Sequence, residues 1–287
     1  MNLWLLLTIN SITLGGLLFL LSAGFSLIFG LMRIPNLTHG SMFMLGAYFG
    51  ASFFLWYKVD FWLSALAAGV LMAVIGGVIE RLVLRRLAGN ELAQVLVTLG
   101  ISFMVADLCL MEWTGDPISV ATPAGLTGTT HILGMAFPIY RLAIIVIALV
   151  VAVALWLLLD RTRLGAMIRA GVDDPVMARM VGIRVSRLFT IVFALGAGLA
   201  GFAGMIGAPI LSVYPGLDTD MLPLALVVVI LGGTGSLLGS LAGSLVVGVL
   251  YNFGQALLPE LAYFVLFLPM VLVLALRPQG FFGRRAP

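Results

Sequence analysis

The sequence predicts an all-α fold: a polytopic transmembrane helical bundle, one domain over residues 1–287, with about eight to ten spans, some broken or re-entrant. Three observations carry this. Hydrophobic residues make up 62% of the chain and charged residues only 9%, with a mean hydropathy of +1.20, whereas soluble domains are about 25% charged. Apolar runs near the roughly 20 residues that a helix needs to cross a bilayer recur along the chain. The basic residues gather in alternate connections between those runs, as cytoplasmic loops do.

The same composition excludes several classes. Cys109 is the single cysteine and lies in an apolar run, so it predicts a small core residue and no intrachain disulfide. His39 and His131 are far apart and no Cys/His cluster exists, so neither metal nor cofactor is expected. No nucleophile, base and acid are grouped, which leaves an enzyme reading unsupported. No Lys or Arg precedes Arg33, so the first apolar run lacks the basic lead of a secretory signal and is expected to stay as a span.

Taken in order, Leu3 to Leu31 is the first run, long enough for a tilted helix; Asn10, Ser11 and Thr13 predict one face turned to other helices. A polar break, RIPNLTHGS, covers Arg33 to Ser41. Met42 to Tyr57 is the second run, and Lys58 and Asp60 mark a tight turn. Phe61 to Ile79 is the third, ending at Glu80, and Arg81, Arg85 and Arg86 form a basic loop. Leu92 to Met111 is the fourth, followed by a loop rich in Gly, Pro and Thr from Glu112 to Gly134. Phe137 to Leu159 is the fifth. A long polar stretch, Asp160 to Arg187, precedes the sixth run, Leu188 to Ala208, which is dense in Gly and Ala. Pro209 to Pro223 reads as an acidic loop with Asp218 and Asp220. Leu224 to Leu231 is short, and the GGTGS of Gly232 to Ser236 interrupts it; nine crossings result if that piece reaches across and fewer if it is re-entrant. Leu237 to Leu257 spans again, Pro259 and Glu260 turn the chain, and Leu261 to Leu276 returns it to a tail carrying Arg277, Arg284 and Arg285.

Charge sets the orientation. Placing the Arg33 break, the Arg81–Arg86 loop, the 160–187 stretch and the tail in the cytoplasm leaves only Lys58 and Arg141 outside. The N-terminus is then outside and the C-terminus cytoplasmic.

The 160–187 stretch carries Arg161, Arg163, Arg169, Arg179, Arg184 and Arg187, and a short helix with its own start and stop signals. Asp174 suits the N-cap, Pro175 the first helical position and Gly182 the C-terminal end. Asp173 and Asp174 lie where the positive end of the helix dipole favours them. A folded basic element between spans is a surface for another protein to grip.

Small residues four apart, at Gly46 and Gly50, at Gly196, Ala200 and Gly204, and at Gly239 and Gly243, predict close helix packing. Gly40, Gly46 and Gly50 have the spacing of Gly233, Gly239 and Gly243, each set opening an apolar run after a break. Matched broken segments of that kind point to a transport site; coincidence in a glycine-rich chain is the other reading. Gly232, Gly233 and Gly235 and the polar turn of Asn36, His39 and Gly40 are thus candidates for a translocation path or gate, the latter expected at the cytoplasmic end; local capping of a helix start explains the turn equally. GGTGS lacks the Lys-Ser/Thr ending of a phosphate loop, so any ATPase must be another chain. Asp107 in the fourth run is the one intramembrane acid expected, reaching the outer interface or pairing with Arg141.

RIPNLTHGSMFMLGAY resembles the N-terminal signature of the Liv-type (LivH-like) permeases, the membrane subunits of bacterial branched-chain amino acid ABC importers. TRLGAMIRAGVDDPVMARMVGIRVSR, FALGAGLAGFAGMIGAP, VILGGTGSLLGSLAGSLVVG and LRPQGFFG follow the family pattern in order over nearly the whole chain. One departure is Asn36-Leu37-Thr38-His39-Gly40, where the family typically has Asn-Phe-Ala-His-Gly. The resemblance implies a second homologous permease subunit or a homodimer, two cytoplasmic ATPase subunits and a periplasmic solute-binding protein, in the bacterial inner membrane. It implies no nucleic-acid partner; membrane lipid surrounds the spans. It also implies that Asp173, Asp174, Pro175, Met177, Ala178, Arg179, Met180, Val181 and Gly182 form the ATPase-coupling helix. Met177, Ala178 and Val181 would face an apolar groove, and Arg169 and Arg179 acidic rims. Relatives of such systems carry urea, short amides or aromatic acids, so the substrate stays open. A stand-alone channel or secondary carrier is the alternative from another class.

Overall fold

The computed structural model describes residues 2–32, 36–132, 135–277 and 279–282. Eleven α-helices are present among them: α1 (Asn2–Met32), α2 (Thr38–Leu55), α3 (Phe61–Leu82), α4 (Glu91–Trp113), α5 (Ile139–Arg161), α6 (Arg163–Asp173), α7 (Pro175–Met180), α8 (Val185–Leu211), α9 (Leu217–Gly232), α10 (Leu237–Leu257) and α11 (Ala262–Leu276). Six helical stretches, those of α1, α3, α4, α5, α8 and α10, are long and apolar enough to cross a membrane. α2, α9 and α11 are shorter.

α1 is the axis of the bundle. It packs against α5, α8, α9 and α10, and Leu17 to Leu21, Ser22, Ala23 and Phe25 are essentially inaccessible. The expectation of one protein-facing side is thus exceeded, because α1 is enclosed on nearly every side. Its hydroxyls are satisfied one turn back: Ser11 Oγ donates to the Leu7 carbonyl at 2.7 Å and Thr13 Oγ1 to that of Ile9 at 3.0 Å. In a bilayer this internal bonding is what lets polar residues sit in a buried helix.

α8 is the second organising helix, packed on α1, α2 and α3. Its small residues allow backbones to touch. A Cβ added at Gly46 of α2 would lie 2.2 Å from the Cα of Gly201, and one added at Gly204 would lie 2.1 Å from the Phe43 carbonyl oxygen. α10 meets α9 the same way, Gly239 against Gly232. The glycine spacings therefore serve packing inside this chain: Gly46 and Gly50 seat α2 on α8, and Gly239 and Gly243 seat α10 on α9.

Three elements depart from the sequence expectation. The loop after α4 folds into an antiparallel hairpin, β1 (Thr129–Ile132) and β2 (Met135–Pro138), with Thr130 opposite Phe137. Ile118 in the same loop pairs with Val213 after α8. The 160–187 stretch holds two helices; α6, strongly two-faced, buries Ile168 and Gly171 against the bundle and was hidden by its short length and high charge. α9 starts at Leu217, so Asp218 and Asp220, expected in a loop, occupy its first turn, and Pro223 lies inside it. Pro223 is the seventh residue of α9 and has no amide to donate to the Thr219 carbonyl, so the helix is interrupted by one bond there.

At one end of the bundle α1 finishes, α3 leads into Arg81, Arg85 and Arg86, and Leu31, Gly171 and Leu188 meet. This is the basic end. Arg33 falls outside the described residues, as do Arg284 and Arg285.

Candidate functional site

The polar turn before α2 does not sit at the basic end. His39 is fully buried, its Nε2–H donating to the Leu21 carbonyl at 2.9 Å while the ring stacks on Phe25, centroids 4.9 Å apart. Leu21 is about 16 Å along α1 from Met32 at 1.5 Å per residue. Leu37 N–H reaches Thr98 Oγ1 of α4, and Ser41 Oγ lies 2.6 Å from Ser102 Oγ, midway along α4. The expected position at the cytoplasmic end is therefore corrected: the turn lies near mid-depth. Asn36 caps it, its Oδ1 accepting from Thr38 N at 3.2 Å and Thr38 Oγ1 at 2.6 Å.

The start of α9 meets the start of α2 there. A Cβ on Gly40 would come within 2.8 Å of the Asp218 carbonyl oxygen, so glycine is what lets the two first turns touch. The Asp218 side chain, 3% exposed, meets through Oδ2 the hydroxyls of Ser41 at 3.2 Å and Ser102 at 3.4 Å, one of which donates to it while the other bonds its neighbouring serine. From this junction α2 runs away from the basic end and α9 runs towards it. Two discontinuous helices meeting N-terminus to N-terminus inside the bundle place both positive dipole ends beside one carboxylate.

α9 joins the two groups of candidate gate residues but does not bring them together. Its far end is the GGTGS turn, at the basic end. Gly233 and Gly235 adopt φ of 95° and 77°, and Gly235 N–H bonds Ser26 Oγ at 3.1 Å and the Ser26 carbonyl at 3.2 Å. Ser236 caps α10 through Gly239 N at 3.0 Å. The C-terminal tail folds back onto this turn: Phe281 N–H donates to the Leu231 carbonyl at 2.8 Å and Phe282 N–H to that of Gly232 at 3.0 Å. Those carbonyls are the ones a helix end leaves unpaired. Gly232, Gly233 and Gly235 thus sit in tight backbone packing next to α1, α10 and the tail, while Asn36, His39 and Gly40 sit at the junction.

At the basic end, α6 and α7 build an exposed element. Asp174 Oδ1 accepts from Val176 N at 2.9 Å and Met177 N at 3.0 Å, Pro175 opens α7, and Gly182 closes it with φ of 86°. Ile183 N–H bonds back to the Ala178 carbonyl at 3.0 Å, the reverse wrap that follows a left-handed glycine. Ala178 is 3% exposed and turned into the protein, which corrects the face expected from sequence. The exposed apolar set is Val176, Met177, Met180 and Val181, each at least 60% accessible. Asp173 and Arg179 are exposed beside them. Arg169 is not free for a partner's acidic rim, since it pairs with Asp160 at 3.0 Å and donates to the Leu159 carbonyl.

Two further acids revise the charge picture. Glu80 is 1% exposed inside α3; its Oε2 accepts from Thr190 Oγ1 at 2.5 Å and its Oε1 is 3.7 Å from Arg85 Nε. Arg85 Nη2 also donates to Thr190 Oγ1 at 2.8 Å and the Ser186 carbonyl at 2.5 Å, tying α3 to α8. Asp107 is exposed on α4, and Arg141 donates to Asn10 on α1 instead of pairing with it. Sequence reasoning placed no acid at mid-depth; Asp218 is one. The available signal was the apolar run after Pro223, which continues a helix backwards through Asp218.

Full-length apolar helices around an enclosed axis, two broken helices meeting inside and a folded polar element at one end define a multi-pass membrane permease. The chain belongs to the family described as branched-chain amino acid transport system / permease component, whose profile matches residues 7–274. It is 27% identical to the high-affinity branched-chain amino acid transport system permease protein BraD of Pseudomonas aeruginosa, over 96% of this chain and 94% of that protein. It is 28% identical to the corresponding LivH protein of Salmonella typhimurium, with the same coverage. It is also 29% identical to the ribose import permease protein RbsC of Escherichia coli, over 74% of this chain and 65% of that protein. No solved structure matches the chain significantly.

Proposed function

We propose that this chain is the membrane-spanning permease subunit of an ATP-driven ABC importer that moves branched-chain amino acids, or a related small solute, across the bacterial inner membrane. The observation that carries it is α7: a capped helix holding four apolar side chains out of the bundle at its basic end, on a platform made by α6. Apolar surface presented at a water-facing end marks a protein–protein contact. The occupant is a cytoplasmic ATPase subunit, one for each of two permease subunits, with a periplasmic binding protein delivering the solute on the other side. The basic end is cytoplasmic by the excess of arginine there, and the N-terminus is outside. Alternating access follows if ATP-bound and ATP-free partners bind the two permease states differently.

The amino-acid assignment is supported by the BraD and LivH relatives. The likeness to RbsC favours one second reading, a neutral sugar as cargo. The experiment is co-purification. Met177→Asp combined with Met180→Asp puts charge into an apolar contact while leaving the Asp174 cap and Ala178 in place. The variant is expected to insert normally and to lose at least tenfold of its bound ATPase. Undiminished co-purification, or uptake by the chain alone in liposomes without ATP, defeats the reading and favours a channel or secondary carrier.

A further inference from the structure

We propose that the junction of α2 and α9 is a solute-contact point in the translocation path, and that Asp218 takes the positively charged or hydrogen-donating end of the passing solute. This rests on the importer reading above and specifies which chemical end of the cargo the permease itself recognises.

Three observations carry it. Asp218 is nearly inaccessible, yet only Oδ2 has donors; Oδ1 has none among the described residues. Ser41 from α2 and Ser102 from α4 fix the carboxylate from one side, so its orientation is set by three separate elements. His39 Nδ1, on the same first turn of α2, also lacks a donor, while Asn36 Nδ2 in the preceding turn lacks an acceptor, so two of these three unmatched atoms accept. A solute ammonium or amide N–H supplies what they lack, whereas an anion would face the carboxylate itself.

The second point is access. Thr219 and Asp220 follow Asp218 on α9 and are exposed, with Tyr214 Oη donating to Asp220 Oδ2 at 2.5 Å. A carboxylate exposed near mid-depth does not face hydrocarbon; such residues line a water-filled path or a partner surface. The exposed polar start of α9 adjoins the buried carboxylate, whose Oδ1 is inaccessible in this conformation. The first turns of α2 and α9 turn their positive dipole ends towards this carboxyl, and its remaining oxygen gives a single donor-accepting contact.

The test reads the charge of the junction directly. In a transporter assembled with partner subunits freed of cysteine and carrying Cys109→Ala, Ser102→Cys places this chain's only thiol beside Asp218. Cationic ethyltrimethylammonium and anionic sulfonatoethyl methanethiosulfonates are compared, each normalised to its rate with a free thiol in solution. We expect water-accessible labelling with at least a tenfold preference for the cation, and loss of that preference when Asp218→Asn is added. Leucine uptake by the reconstituted transporter should fall at least tenfold in Asp218→Asn and be largely kept in Asp218→Glu. Absence of labelling by both reagents, or equal normalised rates, overturns the proposal without needing any Asp218 variant. Labelling as expected in the Cys109→Ala, Ser102→Cys transporter, together with no leucine uptake by the unsubstituted transporter, would instead overturn the amino-acid reading and leave the cation-accepting junction standing.

Discussion

Alanine at Gly46 should loosen the bundle although alanine is the better helix former. The new Cβ would stand 2.2 Å from the Cα of Gly201 and 2.6 Å from its carbonyl oxygen, both backbone atoms that no rotamer change can move. A comfortable carbon–carbon contact is about 3.5–4.0 Å, so α2 and α8 would have to part by roughly 1.5 Å. Parting them forfeits contact along the whole seam, including Gly204 against Phe43, and such overpacking costs about 1–3 kcal/mol. Helix propensity returns about 1 kcal/mol. Gly77 on α3 is the control, because a Cβ there meets the Ala194 side chain at 3.6 Å and that of Thr190 at 3.8 Å, both ordinary contacts. Gly77→Ala should therefore be neutral or stabilising by up to about 1 kcal/mol. The propensity gain is common to both, so with about 2–4 °C of Tm per kcal/mol for chains of this size the two variants should differ by roughly 2–12 °C in detergent melting. Equal melting temperatures would refute the argument that these glycines are required by backbone contact.

Glu80→Gln should lower stability by about 1.5–3 kcal/mol, the range for hydrogen bonds to a charged group, because a buried carboxylate tied to Thr190 and Arg85 becomes neutral. A double-mutant cycle with Thr190→Val should be non-additive, and additivity would remove the network from the account. Phe281→Pro should destabilise the C-terminal end of α9 by about 1 kcal/mol, since it deletes the amide that bonds the Leu231 carbonyl. Phe281→Ala keeps that amide and loses a half-exposed side chain, so hydrogen exchange around Gly232 and Gly233 should speed up in the proline variant only. Equal exchange in both would show that the tail does not cap α9.

The candidate site was legible in part. Asp174, Pro175 and Gly182 announced α7 because caps are local: a carboxylate, a fixed φ and a positive φ act over a few residues wherever the helix lies. Ala178 was assigned to the wrong face because six residues of helix carry too little periodicity to orient it. Arg169 was assigned to a partner because its tie to Asp160 and Leu159 depends on how α6 turns back on α5. Of the junction, the Asn36–Gly40 turn was legible as a break, but its depth and its meeting with Asp218 were not, since a turn in a membrane chain announces a break in the helix but not the depth at which it lies.

The sequence by itself determined the class, the bundle, the basic end and the capped α7. It did so because bilayer-length apolar runs, arginine placement and capping chemistry are short-range or additive properties of the chain. Only the tertiary structure decided that α1 is enclosed, that α2 and α9 start inside the bundle, and that Asp218 lies between Ser41 and Ser102. Lipid and protein core are both apolar, so a membrane helix shows little difference in hydrophobicity between the face that packs and the face that meets lipid. Depth and neighbours are then set by glycine-to-backbone contacts between segments far apart in the chain.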